Sequence, residues 1–144
     1  MQSNEALEKL IYELQYLRGA AENIQQRIEL INASLTEIQV AISTLDGMGS
    51  EVSGSSMLVP IGGGSYIRAK LDDPEKLLVG IGADVIVEKT VPKAKEDLQG
   101  RSLELEKARA AFKQQFNEVS MNINKIQREA QKIAEQVRGE AKNV

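Results

Sequence analysis

The feature that most constrains this chain is an apolar seam that never breaks step. Leu7, Leu10, Leu14, Leu17, Ala21, Ile24, Ile28, Ile31, Leu35, Ile38, Ile42 and Leu45 follow one another at spacings of three and four residues. Such a 3,4 repeat keeps one narrow stripe facing a partner helix and marks a coiled coil. A second seam follows the same rule at Leu98, Ser102, Leu105, Arg109, Phe112, Phe116, Val119, Ile123, Ile126, Ala130, Ile133 and Val137, with Ser102 and Arg109 as its departures from apolar character. At 1.5 Å per residue each seam is about 60 Å long, so the two predict arms of equal length. Arms matched on one chain predict an antiparallel helical hairpin in which Leu7 lies near Val137 and Leu45 near Leu98. In that register small residues face large ones, Ala21 against Ile123 and Ala130 against Leu14, and Phe112 and Phe116 fall opposite Ile31 and Ile28. Arg109 falls opposite Leu35; its stem can run along the seam while the guanidinium reaches an acidic neighbour at the edge, where it would either specify register or simply be tolerated.

Punctuation divides the rest. Eight of the 11 Gly and all three Pro lie between Gly47 and Pro92. The expected organisation is therefore an N-terminal coiled-coil helix over 1–46, a linker over 47–56, two β-hairpins over 57–90 and a returning helix over 91–144. Ser3 is the expected first cap, Asp46-Gly47 the expected stop, and Thr90 with Pro92 the expected second start. Gly19 and Gly100 interrupt helical interiors at about 1 kcal/mol each relative to Ala, and the local pattern explains neither. Gly47 to Ser56 reads as a flexible linker.

In the middle, Met57 to Ile61 and Tyr66 to Leu71 flank Gly62-Gly63-Gly64. The second run alternates, with Ile67, Ala69 and Leu71 on one face and Tyr66, Arg68 and Lys70 on the other. After a turn at Asp72-Asp73-Pro74, Leu77 to Ile81 and Asp84 to Lys89 surround Gly82-Ala83 and predict a second hairpin. Two hairpins of this size have too little apolar surface to stand alone and leave unpaired edges. The fold class is thus α+β: a long antiparallel coiled-coil hairpin with two central β-hairpins that close a sheet or barrel with other subunits.

Composition narrows the functions. The 144 residues contain no Cys and no His, which removes thiol nucleophiles, imidazole bases and the commonest transition-metal ligands. Aromatics are only 3%, so packing rests on aliphatic side chains, and a net charge of −3 gives no field to attract nucleic acid. No metal or other cofactor is expected. MQSNEALEKL lacks the basic start and apolar core of a secretory signal, which predicts a cytoplasmic protein. The most apolar stretch, Leu77 to Val87, contains Asp84 and is far shorter than the roughly 20 residues of a membrane helix. Gly62-Gly63-Gly64-Ser65 lacks the GK[ST] and following helix of a phosphate loop, and Asp72-Asp73 has no base, nucleophile or ligand cluster beside it, so both read as turns and no enzyme is expected. Apolar residues gather near the open end of the helical hairpin, where Ile11, Tyr12 and Tyr16 add to Leu7, Leu10 and Leu14, and the returning helix carries Ile133, Ala134 and Val137. A fraying terminus with such a cluster predicts protein binding.

The layout, together with Leu58-Val59-Pro60-Ile61-Gly62, Gly64-Ser65-Tyr66-Ile67 and Val79-Gly80-Ile81-Gly82-Ala83, closely resembles the alpha-type subunits of the archaeal prefoldin family over essentially the whole chain. Beta-type subunits have one hairpin, and four strands here favour the alpha type. The resemblance implies a heterohexamer of two alpha and four beta subunits, whose hairpins form a double β-barrel platform through Leu58, Val59, Ile61, Tyr66, Ile67, Val79, Ile81, Val85 and Val87. It implies an ATP-independent chaperone, a holdase, that captures unfolded polypeptides at its coiled-coil tips and delivers them to a group II chaperonin. By location, Leu7, Leu10, Ile11, Leu14, Ile133 and Val137 are the expected client-binding positions; chaperonin docking is assigned to no residue. The alternative is a coiled-coil scaffold or tether subunit that recognises one fixed protein partner.

Overall fold

The computed structural model describes residues 2–142. Helix α1 spans Gln2–Met48, four strands follow as β1 (Ser56–Gly62), β2 (Ser65–Lys70), β3 (Lys76–Gly82) and β4 (Val85–Thr90), and helix α2 spans Val91–Lys142. All twelve seam positions of α1 and all twelve of α2 are buried or half-buried, Ser102 and Arg109 among them. The 3,4 spacing therefore locates the packed stripe of both helices.

The residues form two compact units, one made of the α1 segment up to Ala33 with the α2 segment from Glu106, the other running from Ser34 to Leu105. In the first unit, Leu17 shares a groove with Ile126, the Arg27 guanidinium lies over the Phe112 ring, and Arg109 reaches Asn32. Positions rise along α1 as they fall along α2, so the two segments are antiparallel. In the second unit, Lys95 donates to the Asp46 carboxylate, and Ala41 and Leu98 line a common cleft, which gives the same sense. Leu14, Ile28, Ile38 and Leu45 are the most deeply buried seam residues of α1, and Ala94 is buried near the start of α2.

Several boundaries differ from those expected. Ser3 lies within the first turn of α1 instead of capping it, because Gln2 is already helical. The helix also continues past Asp46-Gly47 to Met48: the Asp46 carboxylate is taken by Lys95, and the last turn is closed by the Gly49 amide donating to the carbonyls of Leu45 and Asp46 at 3.2 and 3.3 Å. The segment after it is tied down at several points. Glu51 N donates to Met48 O, Ser55 N to Val52 O, and Ser53 Oγ to Asp72 O at 2.7 Å. Gly54 N bonds to Leu71 O and Leu71 N to Ser55 O, closing the base of the first hairpin. A linker read as flexible from its Gly and Ser content is thus bonded, because those same side-chain hydroxyls and unhindered amides supply the partners. At the second helix start, Thr90 Oγ1 accepts from Lys93 N at 3.4 Å, the bond that an N-cap residue makes to the third helical amide.

The two hairpins are separate two-stranded antiparallel sheets, β1 with β2 and β3 with β4. They are built alike at an offset of twenty residues. Leu58, Val59, Ile61 and Gly62 correspond to Leu78, Val79, Ile81 and Gly82, and in each sheet the register shifts by one residue at the isoleucine, so that Ile61 and Ile81 bulge out of the ladder. Each turn then uses two residues of positive φ, Gly63 and Gly64 at 60° and 75°, Ala83 and Asp84 at 50° and 60°. Positive φ at both central residues is the geometry of a type I′ hairpin turn, whose twist matches that of the strands. Ala83 accepts the left-handed conformation against a penalty of about 1 kcal/mol that the glycine at the same place in the first hairpin does not meet. Asp84, expected as the first residue of a strand, instead completes this turn, and Leu71 falls just beyond β2.

One charge contact holds the second hairpin to its helix. Lys89 Nζ, on β4, donates to Asp97 Oδ2 on α2 at 2.6 Å, and Lys93 Nζ lies 3.3 Å from Asp97 Oδ1. The Lys89 hydrogen bond holds the Asp97 carboxyl below the usual carboxylate range, against a smaller opposing desolvation, with Lys93 contributing further. A depressed carboxyl contributes stability above its unfolded-state value of about 3.9 and loses it as pH falls below that value. Amide protection in β4 is therefore expected to drop as pH falls from about 4 through the depressed Asp97 value, by a few-fold at most because the pair is partly exposed and screened. Hydrogen exchange of Asp97→Asn, which lacks the titrating group, should show a correspondingly smaller pH-dependent change; an identical change in both chains would show that the contact does not hold the hairpin.

Candidate functional site

Two surfaces separate from the packed seam. The first lies in the first four turns of α1. Of the expected client-binding positions there, Leu14 is only 8% exposed, and Leu7 and Leu10 are half-buried, as are Ile133 and Val137 near the end of α2. Seam residues spend their apolar surface on the partner helix. Ile11, one place off the seam, is 46% exposed, and Tyr12 and Tyr16, on the outward side, are 77% and 76% exposed. The structure thus moves the available apolar surface of this region onto Ile11, Tyr12 and Tyr16, two of them phenol rings that join a large apolar face to a polar tip. The off-seam apolar pattern carries this signal once seam positions are subtracted from it.

The second surface is made by the hairpins. In the second hairpin, Leu77, Val79, Val87 and Lys89 share one face and are half-buried, and Leu77, Val79 and Lys89 line a cleft with Ala94, Asp97 and Leu98 of α2. Its other face leaves Leu78 and Ile86 exposed, and the bulged Ile81 and the strand-end Val85 are exposed too. The first hairpin is barer still. Leu58, Ile61, Tyr66 and Ile67 are exposed, and Val59 and Ala69 are the strand residues with partial cover. Both of its faces and both of its edges are open. An isolated two-stranded hairpin is marginal in water, and unpaired strand edges are templates for another chain. Leu78 and Ile86 are exposed apolar residues outside the expected assembly positions, although the twenty-residue correspondence with the exposed Leu58 and Tyr66 points to them.

The remaining sequence candidates resolve into local structure. Asp73 Oδ1 accepts from the Glu75 amide at 2.9 Å, an Asx-type turn, and Gly62 to Ser65 form the first hairpin's turn. Arg109 Nη1 donates to Asn32 Oδ1 at 2.9 Å, so its partner is an amide oxygen beside the seam and not the acidic group expected. Among the described residues no helix is long and apolar enough to cross a membrane.

This arrangement of two seamed helices around two bulged hairpins agrees with what sequence comparison finds: the family model for prefoldin subunits matches residues 17–136. The chain belongs to the prefoldin family. Among curated relatives, prefoldin subunit alpha of Pyrococcus horikoshii is 32% identical over 133 residues, covering 92% of this chain and 90% of that one. Prefoldin subunit alpha of Methanopyrus kandleri is 38% identical over 110 residues, covering 76% and 70%. A chain in the cryo-EM structure of filamentous PFD from Methanocaldococcus jannaschii shares the fold, with a TM-score of 0.60 at 21% identity over 88% of this chain and 98% of that one. Prefoldin is a family of chaperone subunits and not of enzymes, and this chain is a prefoldin-type chaperone subunit.

Proposed function

We propose that this chain is the alpha-type subunit of an ATP-independent cytoplasmic holdase, assembled as two such chains with four beta-type subunits. Its hairpins contribute strands to a shared β-barrel platform, and its coiled-coil tips capture unfolded polypeptides for delivery to a group II chaperonin. The observation that carries the reading is the separation of roles between positions: the seam is consumed within the chain, while Ile11, Tyr12 and Tyr16 leave apolar surface uncovered. Side chains of this kind, each contributing at most about 1.5 to 3 kcal/mol when fully buried, bind loosely one at a time. Repeated over several tips they add by avidity, which favours broad and reversible capture. The resemblance to prefoldin alpha subunits of known archaea supports the hexamer and the chaperonin partner, and the open hairpin edges support assembly through the platform.

The test is suppression of aggregation by the reconstituted complex, without ATP, of several unrelated denatured proteins. Suppression of most of them is expected. An intact hexamer that protects none would overturn the holdase reading, and protection confined to one protein would favour a tether for a fixed partner.

A further inference from the structure

Gly19 has a consequence that the chain's own packing does not explain. Glycine in a helix interior is disfavoured relative to alanine, yet a Cβ placed at residue 19 would meet nothing within 4 Å beyond its chain neighbours and the adjacent backbone of its own helix. Nothing inside the chain requires the side chain to be missing. What its absence does is leave a notch in a groove of about 610 Å³ in the first unit, walled by the exposed Tyr16 ring and floored by Ala20, Ile24 and Phe112. That volume lies within the range of about 300 to 1,000 Å³ typical of ligand sites.

The groove also has a defined charge. Of the residues that line it, Arg27 alone is ionised, and its guanidinium sits 5.6 Å from the centroid of the Phe112 ring, within cation–π distance. The ion pairs among the described residues join Lys89, Lys93 and Lys95 to carboxylates of the other unit, and none engages Arg27. An arginine whose planar face is held by a ring keeps its N–H edge available for a carboxylate. Gln15, Asn23 and Gln115 complete the rim with amides that can both donate to and accept from a peptide backbone.

We propose that this groove selects among unfolded segments, taking an aromatic or branched aliphatic side chain into the notch at Gly19 and an adjacent Asp or Glu carboxylate onto Arg27. The occupant is an extended polypeptide whose apolar residue lies next to an acidic one; a segment with a lysine in the acidic position is disfavoured by like charge. The proposal rests on the holdase reading and adds a preference to it.

The experiment uses the complex reconstituted with a beta-type subunit and two fluorescein-labelled probes, the peptide Ser-Gly-Phe-Asp-Leu-Gly-Ser and the same peptide with Lys in place of Asp. Fluorescence anisotropy should show the acidic peptide bound about fivefold more tightly, as expected for one partly exposed charge-assisted contact. Gly19→Leu, which fills the notch with a good helix former, should weaken binding of the acidic peptide about fivefold. Arg27→Gln should remove the preference while leaving the lysine peptide bound at least as well as before. Equal binding of the two peptides, binding of neither, or a preference that survives Arg27→Gln overturns the proposal. Aggregation suppression measured on the same preparation keeps the two readings apart: suppression without peptide preference leaves the holdase standing and removes the groove, and preference without suppression does the reverse.

Discussion

Replacing Ile11, Tyr12 and Tyr16 together by serine should reduce the cross-linking of a denatured client to this chain about tenfold, with hexamer mass and far-ultraviolet circular dichroism unchanged. The magnitude follows from area. A tenfold change corresponds to about 1.4 kcal/mol, which is less than the full burial of one such side chain and so is reached even if a client covers each of the three only in part. The structural cost is small, because the three side chains face solvent and the seam beneath them is untouched. Cross-linking, with a photoreactive group carried on the client, isolates this chain from its beta-type partners, whose own tips would mask the loss in a bulk assay. Leu14→Ala supplies the contrast. Its side chain is buried, so truncation should destabilise the local helix pair by about 2 to 4 kcal/mol and lower protection of nearby amides to hydrogen exchange. If the triple variant still cross-links at the parental level, client contact lies elsewhere on the chain, and the assignment of this surface fails.

The second large effect is on assembly. Ile67→Asp in the first hairpin should convert the hexamer to smaller species by light scattering, while helical content stays close to that of the parent. Ile67 pairs with Val59 across the ladder and shares with Met57 and Ala69 an apolar face that this chain leaves largely open. In the proposed barrel that face is covered by another subunit, and an unpaired carboxylate buried there costs several kcal/mol, far more than a single surface contact supplies. The helices do not depend on it, since their stability comes from seam positions in α1 and α2. Arg68→Gln, on the opposite face of the same strand, changes charge without burying any and should assemble normally. An Ile67→Asp complex of undiminished mass would remove the platform role from the first hairpin.

The contrast between these residues shows where sequence pattern suffices. Ile28 and Ile38 are buried because a 3,4 repeat on a helix permits one packed stripe, and that periodicity is as visible in the chain as in the fold. The alternation of Ile67 and Arg68 across two faces is equally plain, and the strand pairing follows it. Periodicity says less about Leu14, whose burial depends on how completely the opposing helix covers the terminal layers, a property of three-dimensional packing. It also missed the bulges. Ile61 and Ile81 look like the last residues of regular strands, but a two-residue turn with both φ positive, followed by a matching register, leaves one extra residue on the first strand of each hairpin. Ser3 and Asp46 failed as boundaries for a related reason: a capping side chain marks a helix end only when the backbone there is free to leave the helix, and at Asp46 the carboxylate is drawn across to Lys95. Gly19, which had no explanation in the linear pattern, acquires one only when the groove beside it is seen.

The first hairpin, open on both faces and both edges, has a consequence for how such a chain must be produced. If its sheet is finished only by other subunits, as proposed, its folded population is governed by mass action, and its platform segment gains stability with the logarithm of the partner concentration. Synthesised in excess, the surplus copies would display Leu58, Ile61, Tyr66 and Ile67 to one another and to proteases. In the proposed assembly a balanced ratio of subunits during translation is therefore required by the segment from Ser56 to Lys70, in which every residue but Val59 and Ala69 is exposed, and an unmatched copy would itself be in need of a chaperone.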